Sequence, residues 1–240
     1  METNSPLFSD AFRQELALGK YSQWAVNLTE TQVGGLLWMI GEFGLEHTRH
    51  SVGGSFGGNR ESTFLAVNPN GLVPVIRDGD IVMFESNAIV RYLAARYGEG
   101  GVRPSSPGAL AAAEQWMEWQ QTTVAPLIGT IFMNKVRRPA AECDHRAVEA
   151  AAMKLHDILA IADRALARRT WFAGDGFSFG DIVLGCFMWR YSGLDVPKPA
   201  MPNVIRWFEA LKQRPAYRTW VMVPVGSNVA EWDRNERELG

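Results

Sequence analysis

The chain has 240 residues, of which 47% are hydrophobic and 21% are charged, and its 24 Lys and Arg nearly balance its 26 Asp and Glu. This length predicts one or two domains with a well-buried core, and the near-neutral charge argues against a general nucleic-acid-binding protein. No run approaches the roughly 20 apolar residues of a membrane helix, and the polar residues 1–5 are unlike a secretory signal. We therefore expect a cytoplasmic protein that binds neither nucleic acid nor membranes.

The first half of the chain alternates short strands with helices. Residues 1–20 form an N-terminal extension to which no role is assigned. Beyond it, strictly alternating side chains predict a strand, whereas the spacing of Leu36, Leu37 and Ile40 predicts a helix that Gly44 is placed to end. The expected elements are, in order, a strand at 21–27, a helix at 33–45, a strand at 47–52, a mobile glycine-rich loop at 53–58 and a short helix at 62–67.

The stretch from Asn68 to Asp80 predicts a turn, an apolar strand and an Asp-Gly hairpin, after which a second strand and a helix follow. Pro74 has no N–H to give to a sheet, so it is tolerated only at a strand start, an edge or a bulge. If the Val73–Pro74 bond is cis, the N–H and C=O of Val73 are left free to pair with an extended ligand. Ser86 is expected to cap the following helix, whose N-terminal N–H groups favour a carboxylate.

A linker rich in Gly, Pro and Ser, at 98–108, separates this region from a helical remainder at 109–240 that ends in a tail. Ser178 and Asp181 are spaced as a capping box at the start of a helix that is apolar nearly all round and therefore buried. Other helices are predicted from apolar residues at helical spacing, namely Leu110, Ala113 and Met117; Val148, Ala151, Ala152, Leu155, Leu159, Ala162 and Leu166; and Val204, Trp207, Phe208 and Leu211.

The cysteines and histidines predict neither a dithiol site nor a metal site. Cys143 and Cys186 are not spaced as Cys-x-x-Cys, which argues against a thioredoxin-type dithiol mechanism. We expect Cys143 at an exposed helix start and Cys186 in the core. No histidine lies at a recognisable ligand interval from a cysteine or another histidine, so no metal is expected.

From about residue 33 to 222 the sequence resembles the cytosolic glutathione transferases, of the bacterial theta- or beta-like kind. The resemblance implies a thioredoxin-like α/β domain at 21–97, with a mixed four-stranded sheet, followed by an all-α domain. It also implies that glutathione is the co-substrate. Val73 before a cis Pro74 would pair with its cysteinyl backbone, and Glu85 and Ser86 would hold its γ-glutamyl end.

The resemblance fails at the residue that activates the thiol. Bacterial relatives carry a serine at the first strand–helix junction, where this chain has Glu30, and an ionised carboxylate cannot donate to a thiolate. Thr29 and Thr31 are the available hydroxyl donors, and Gln32 offers an amide N–H. These threonines equally fit a simple role in capping the first helix. Asn59 is a candidate for the glycyl end of glutathione, although it also fits a plain solvated loop.

By the same resemblance, a small hydrophobic electrophile is expected against Trp116, Trp119 and Gln120, although aromatic residues at helical spacing also suit a core. The function implied is a glutathione transferase acting in detoxification, as a homodimer. Two alternatives stay open. One is a glutathione-dependent disulfide or peroxide reductase. The other is a glutathione-binding or interaction protein without turnover, because the usual serine is replaced.

Overall fold

A computed structural model describes residues 23–26, 31–98 and 101–239 of the chain. The expected N-terminal extension, Thr29 and Glu30 lie outside these residues.

The first part of the chain is a small mixed sheet with helices around it. Its strands stand in the order β2-β1-β3-β4, where β2 is parallel to β1, β3 is antiparallel to β1, and β4 is antiparallel to β3. The sheet and helices follow each other as in a thioredoxin-like domain, which confirms the predicted fold class. The elements are β1 (Gln23–Val26), α1 (Thr31–Phe43), β2 (Thr48–Ser51), α2 (Ser62–Leu65), β3 (Val75–Asp78), β4 (Ile81–Phe84) and α3 (Ser86–Tyr97).

In the second part, all the regular elements among the described residues are helices, joined by loops. Two wide helical turns, at Gln120–Val124 and Met133–Arg137, interrupt the regular helices. Within the described part of the chain, no helix is both long and apolar enough to cross a lipid bilayer. The helices are α4 (Pro107–Trp119), α5 (Ala125–Phe132), α6 (His145–Leu166), α7 (Phe179–Gly193), α8 (Pro202–Lys212), α9 (Pro215–Trp220) and α10 (Val229–Leu239).

Helix α1 lies at the centre of the molecule, where it packs against α3 of its own part and against α7 and α9 of the helical part. Its residues from Val33 to Ile40 are buried. Small residues permit the close approach. A Cβ at Gly35 would lie 3.6 Å from Ile182 of α7, and one at Gly41 would lie 2.9 Å from Ala216 of α9. One hydrophobic core therefore runs through both parts and fixes the start of α1 against the helical part.

The helix starts and apolar stripes follow the sequence closely. All seven apolar residues predicted for the long helix α6 are buried. The capping box at the start of α7 is present, with Ser178 and Asp181 in the predicted positions. Cys186 is buried in the core, as expected, whereas Cys143 is half-buried and lies two residues before α6 begins at His145. Asp144 takes the cap there, since its carboxylate accepts the Ala147 N–H.

The glycine-rich stretch 53–58, predicted as a mobile loop, contains a short 3₁₀ turn at Gly54–Phe56. Its shape depends on glycine, because Gly53, Gly54, Gly57 and Gly58 all have positive φ, at 84°, 51°, 66° and 78°. The Gly53 N–H donates to the Gly57 carbonyl at 2.8 Å, which closes the loop on itself.

Candidate functional site

The candidate site begins at the open end of the β3–β4 hairpin. Val75 pairs with Phe84, and Val73 and Ser86 each lie two residues beyond that pair. Val73 and Ser86 therefore both follow the open end of this hairpin, beyond its last paired residues. The Val73–Pro74 peptide bond is cis. Among the residues that the structure describes, neither the N–H nor the C=O of Val73 has a hydrogen-bond partner.

The turn before Val73 is held by two asparagine side chains. Asn68 is buried, its Oδ1 accepts the Asn70 N–H at 3.1 Å, and its Nδ2 donates to the Leu72 carbonyl at 2.7 Å. Asn59 Nδ2 donates to the Gly71 carbonyl at 2.8 Å. The carbonyls just before Val73 are therefore satisfied within the protein, and the unpaired main-chain groups of Val73 are the ones that a ligand could complete.

On the opposite side of the site, the chain enters α3 through an unusual backbone conformation at Glu85. Glu85 has φ 71° and ψ 109°, and it is the one non-glycine residue with positive φ among the described residues. Such conformations cost of order 1–3 kcal/mol and cluster at ligand-binding sites. Glu85 is exposed, so its carboxylate is available to a ligand.

The expectation that Ser86 caps α3 is wrong. Glu85 occupies the cap position, its side chain makes no capping hydrogen bond, and Ser86 is the first helical residue, 7% exposed. The positive φ at Glu85 turns the chain into the helix directly after β4, one residue earlier than a serine cap requires. The first turn of α3 holds no acidic residue, so its N–H groups and dipole remain available to an anion. Asn87 Oδ1 is also buried there without a partner.

Three further segments reach the same end of the sheet. Ala25 pairs with Val75 in antiparallel register, so the end of β1 lies beside the start of β3. Val26 pairs with Ser51 in parallel register, so the glycine-rich loop also leaves the sheet there. The strand β1 ends at this edge at Val26, and α1 begins five residues later at Thr31, so the N-terminus of α1 lies near this end as well. The sheet thus gathers the start of α1, the glycine-rich loop, Val73 and Ser86 at one edge.

The hydroxyl and amide candidates at this edge are Thr31 and Gln32, the first two residues of α1. Their backbone position at a helix N-terminus is one at which an anion such as a thiolate is favoured. Thr29 and Glu30 are outside the described residues, so the choice between the two threonines stays a prediction.

The three residues expected against an electrophile lie on α4 and the wide turn that follows it. Trp116 is buried, with its ring centroid 4.6 Å from that of Phe172, so it belongs to the core. Trp119 is half-buried and meets Trp116 edge-on at 5.1 Å. Gln120 is 0% exposed, and neither its Nε2 nor its Oε1 has a hydrogen-bond partner among the described residues. A buried amide without partners is unusual and marks a place where a ligand could supply them.

Two contributors to the site were missed from the sequence. Asn68 lies in a turn that the sequence shows clearly, yet its burial depends on how α2 and β3 pack around that turn. Glu236 of α10 accepts the Ser55 N–H of the glycine-rich loop at 2.9 Å, from 181 residues away. No local pattern signals such a contact.

Comparison with known proteins identifies the family. Residues 34–96 match the model of the glutathione S-transferase N-terminal domain, and residues 121–215 match that of the C-terminal domain. Glutathione S-transferase GstB of Escherichia coli is 40% identical over 204 residues, which cover 84% of this chain and 98% of that protein. Glutathione S-transferase 3 of Zea mays is 32% identical over 191 residues, covering 76% of this chain and 85% of that protein.

Solved structures give the same answer. The theta class glutathione S-transferase of Xanthomonas axonopodis pv. citri, determined with glutathione bound, superposes with a TM-score of 0.83 at 38% identity. The match covers 86% of this chain and 99% of that one. Both domain models, the sequence relatives and the fold lead to one conclusion: this chain belongs to the glutathione S-transferase family.

Proposed function

We propose that this protein is a glutathione transferase that binds glutathione at the Val73–Ser86 edge and directs its thiol at a small hydrophobic electrophile. One observation carries the proposal: the unpaired main chain of Val73 and the N-terminus of the 12-residue helix that starts at Ser86 both adjoin the open end of one hairpin. A peptide can pair with the main chain of Val73 as an added strand, while its carboxylate binds at the helix N-terminus.

Glutathione has the groups that this edge requires. Its cysteinyl N–H and C=O match the free C=O and N–H of Val73, and its γ-glutamyl carboxylate matches the start of α3 with the Ser86 hydroxyl. The γ-glutamyl amine is positively charged, and Glu85 offers an exposed carboxylate to receive it. Asn59 lies at the other end of Val73, near the position of the glycyl carboxylate, although one of its amide hydrogens is used by Gly71.

Thiol activation is assigned to the start of α1. A free thiol has a pKa near ~8.5, so only a few per cent of it is the reactive thiolate at neutral pH. A hydroxyl or amide donor and the helix dipole both favour the charged form. We propose Thr31 for the donor, with Thr29 as the second candidate and Gln32 in support. The thiolate then attacks the electrophilic carbon. The new S–C bond replaces the bond to the leaving group, which for an aromatic halide departs to solvent as halide ion, and the thiol proton also goes to solvent.

The electrophile is proposed to lie against Trp119 and Gln120. Leaving a buried amide unpaired costs about 1–3 kcal/mol, and a polar group on the co-substrate would recover part of that cost at Gln120. Trp119 supplies an apolar wall, whereas the core packing of Trp116 makes it a support for that wall. From the family resemblance we also propose a cytoplasmic homodimer active in detoxification.

Calorimetric titration with glutathione tests the site, with Ser86→Ala compared against Ser192→Ala. Ser192 is exposed and bonds only the carbonyl of Trp189, within its own helix. Loss of a hydrogen bond to a charged carboxylate, about 1.5–3 kcal/mol, predicts at least about tenfold weaker binding for Ser86→Ala, and no change for Ser192→Ala. Absence of binding by the wild type would refute the assignment.

Turnover separates the proposed transferase from the alternatives. Conjugation of glutathione to an aromatic halide by the wild type would support transferase activity. The activation scheme predicts that the thiol pKa of bound glutathione is raised in Thr31→Ala or in Thr29→Ala. An unchanged thiol pKa in both variants would contradict the activation scheme. Glutathione consumed by a mixed disulfide but not by the halide would indicate a reductase, and binding without either reaction would indicate a non-catalytic protein.

A further inference from the structure

The C-terminal helix α10 bridges the two parts of the molecule. It packs both on the 3₁₀ turn at Gly54–Phe56 and on the wide turn at Met133–Arg137. The glycine-rich loop, which belongs to the small sheet domain, is therefore held by the last helix of the chain.

Trp232 anchors α10 to the helical part. Its side chain is 1% exposed and meets the ring of Phe132 at 5.0 Å, edge to face. The guanidinium of Arg137 lies 4.8 Å from the centre of the Trp232 ring, and that of Arg190 lies 5.4 Å from it. A large aromatic side chain held by a ring and two cations fixes the position of this helix.

Glu236 lies four residues after Trp232, on the same face of α10 and one turn further along. It is 2% exposed, and its Oε2 accepts the backbone N–H of Ser55 at 2.9 Å. A hydrogen bond from an N–H to a carboxylate is about twice as strong as a neutral one. Since the loop around Ser55 has four glycines at positive φ, such a contact removes much of its conformational freedom.

The loop held by Glu236 lies close beside the proposed glutathione residues. A Cβ placed on Gly53 would lie 3.7 Å from Val73 Cγ1 and 4.0 Å from the side chain of Asn59. Asn59, at the end of the loop, in turn holds the Gly71 carbonyl in the turn that presents Val73. A continuous set of contacts therefore runs from Glu236 through the glycine-rich loop to the Val73 edge.

We propose that Glu236 is a positioning residue for glutathione: its carboxylate holds the glycine-rich loop against Val73 and couples the docking of α10 to glutathione affinity. The inference rests on the proposed function, because glutathione is the ligand whose affinity would change. Glu236 touches no reacting atom, so its removal should weaken glutathione binding and leave the chemical step intact.

Three variants of the full chain test the proposal by calorimetry and steady-state kinetics. Glu236→Ala removes the acceptor, Glu236→Gln keeps an acceptor oxygen, and Glu238→Ala removes an exposed carboxylate from the same helix. We expect the Kd for glutathione to rise about tenfold in Glu236→Ala, equivalent to about 1.4 kcal/mol. In Glu236→Gln the Kd should stay within about threefold of wild type, and in Glu238→Ala it should be unchanged. At saturating glutathione the kcat of Glu236→Ala stays within about twofold of wild type, since only ground-state binding is lost.

The proposal is overturned if Glu236→Ala binds glutathione as tightly as Glu238→Ala, or if Glu236→Gln is as weak as Glu236→Ala. A wild type that does not bind glutathione at all instead overturns the proposed function, so the two failures are distinguishable. Hydrogen–deuterium exchange of the wild type provides a test that needs no variant. Because coupling is reciprocal, saturating glutathione should slow exchange in both 53–60 and α10, and an α10 whose exchange ignores glutathione contradicts the coupling.

Discussion

Replacing Asp181 by alanine should cost more stability than any other single change at a helix start of this protein. Asp181 is 0% exposed. Its Oδ1 accepts the Phe172 N–H at 3.0 Å and the Trp207 Nε1–H at 2.9 Å, and its Oδ2 accepts the Ser178 N–H at 2.9 Å and the Ser178 hydroxyl at 3.2 Å. One carboxylate thus joins the start of α7, the segment before it and helix α8.

The magnitude follows from the donors left behind. In Asp181→Ala three buried N–H groups lose their acceptor, and each buried unsatisfied group costs about 1–3 kcal/mol. Partial relaxation makes these costs less than additive, so we expect a loss of about 3–5 kcal/mol, at the upper end for a single substitution. Out of a total of about 5–15 kcal/mol, this loss leaves a marginal protein. The start of α7 also supports α1, so the thiol end of the site should be affected.

Urea unfolding followed by tryptophan fluorescence measures this difference, provided that the slope with urea is unchanged. The matched control is Asp195→Ala, whose carboxylate is fully exposed and pairs with Lys135 at 3.2 Å. A surface ion pair of this kind contributes about 0–1 kcal/mol. If Asp181→Ala loses less than about 1 kcal/mol, the carboxylate is not the acceptor that holds these elements together.

Two further predictions concern the same helix. Burial raises the pKa of Asp181 to about 6, against the opposing effect of its hydrogen bonds; its stabilising contribution is therefore full below about pH 4 and lost as the pH rises through 6. Asparagine does not titrate, so Asp181→Asn should lower the free energy of unfolding, measured in urea, more at pH 4 than at pH 7.5. A loss that is the same at both pH values, or larger at pH 7.5, would contradict the raised pKa. Gly180→Ala places a Cβ 2.8 Å from the Ala113 backbone and should cost about 1–3 kcal/mol by overpacking. The control is Gly129→Ala, which has open space around the new Cβ and should raise the free energy of unfolding by about 0.5–1 kcal/mol in the same assay. If the two substitutions change stability equally, α7 and α4 are not closely packed at Gly180.

Features that depend on residues a few positions apart were predicted well from the sequence. The capping box at Ser178 and the stripe along α6 are such features, since a helix places residues three and four apart side by side. The hairpin from Asn68 to Phe84 is another, because alternation and an Asp-Gly turn fix its register locally. This local coding is why half of the candidate site, the Val73 and Ser86 edge, could be placed from the order of its residues alone.

Conformations that depend on distant packing were not predicted. The positive φ of Glu85 follows from the need to pass from β4 into α3 at once, and nothing in the residue type announces it. Arg214 pairs with Glu42 across 172 residues, at 2.8 Å from Nε to Oε1, and locks α9 to α1. Bringing residues so far apart in the sequence together costs loop-closure entropy, which only the interactions of the whole fold offset. A local sequence pattern therefore does not predict such contacts.

The two parts of the candidate site differ in how much the rest of the molecule must supply. The Val73 edge is made by one hairpin and its adjoining turn, so its main-chain groups are arranged by residues between Asn59 and Ser86. The start of α1 is held instead by α7 and α9. Glycines of α1 let these two helices approach it closely, so its position depends on both of them. Damage to α7 or α9 should therefore change thiol activation more than the pairing of the glutathione backbone, whereas damage to α10 should act on the Val73 edge through Glu236.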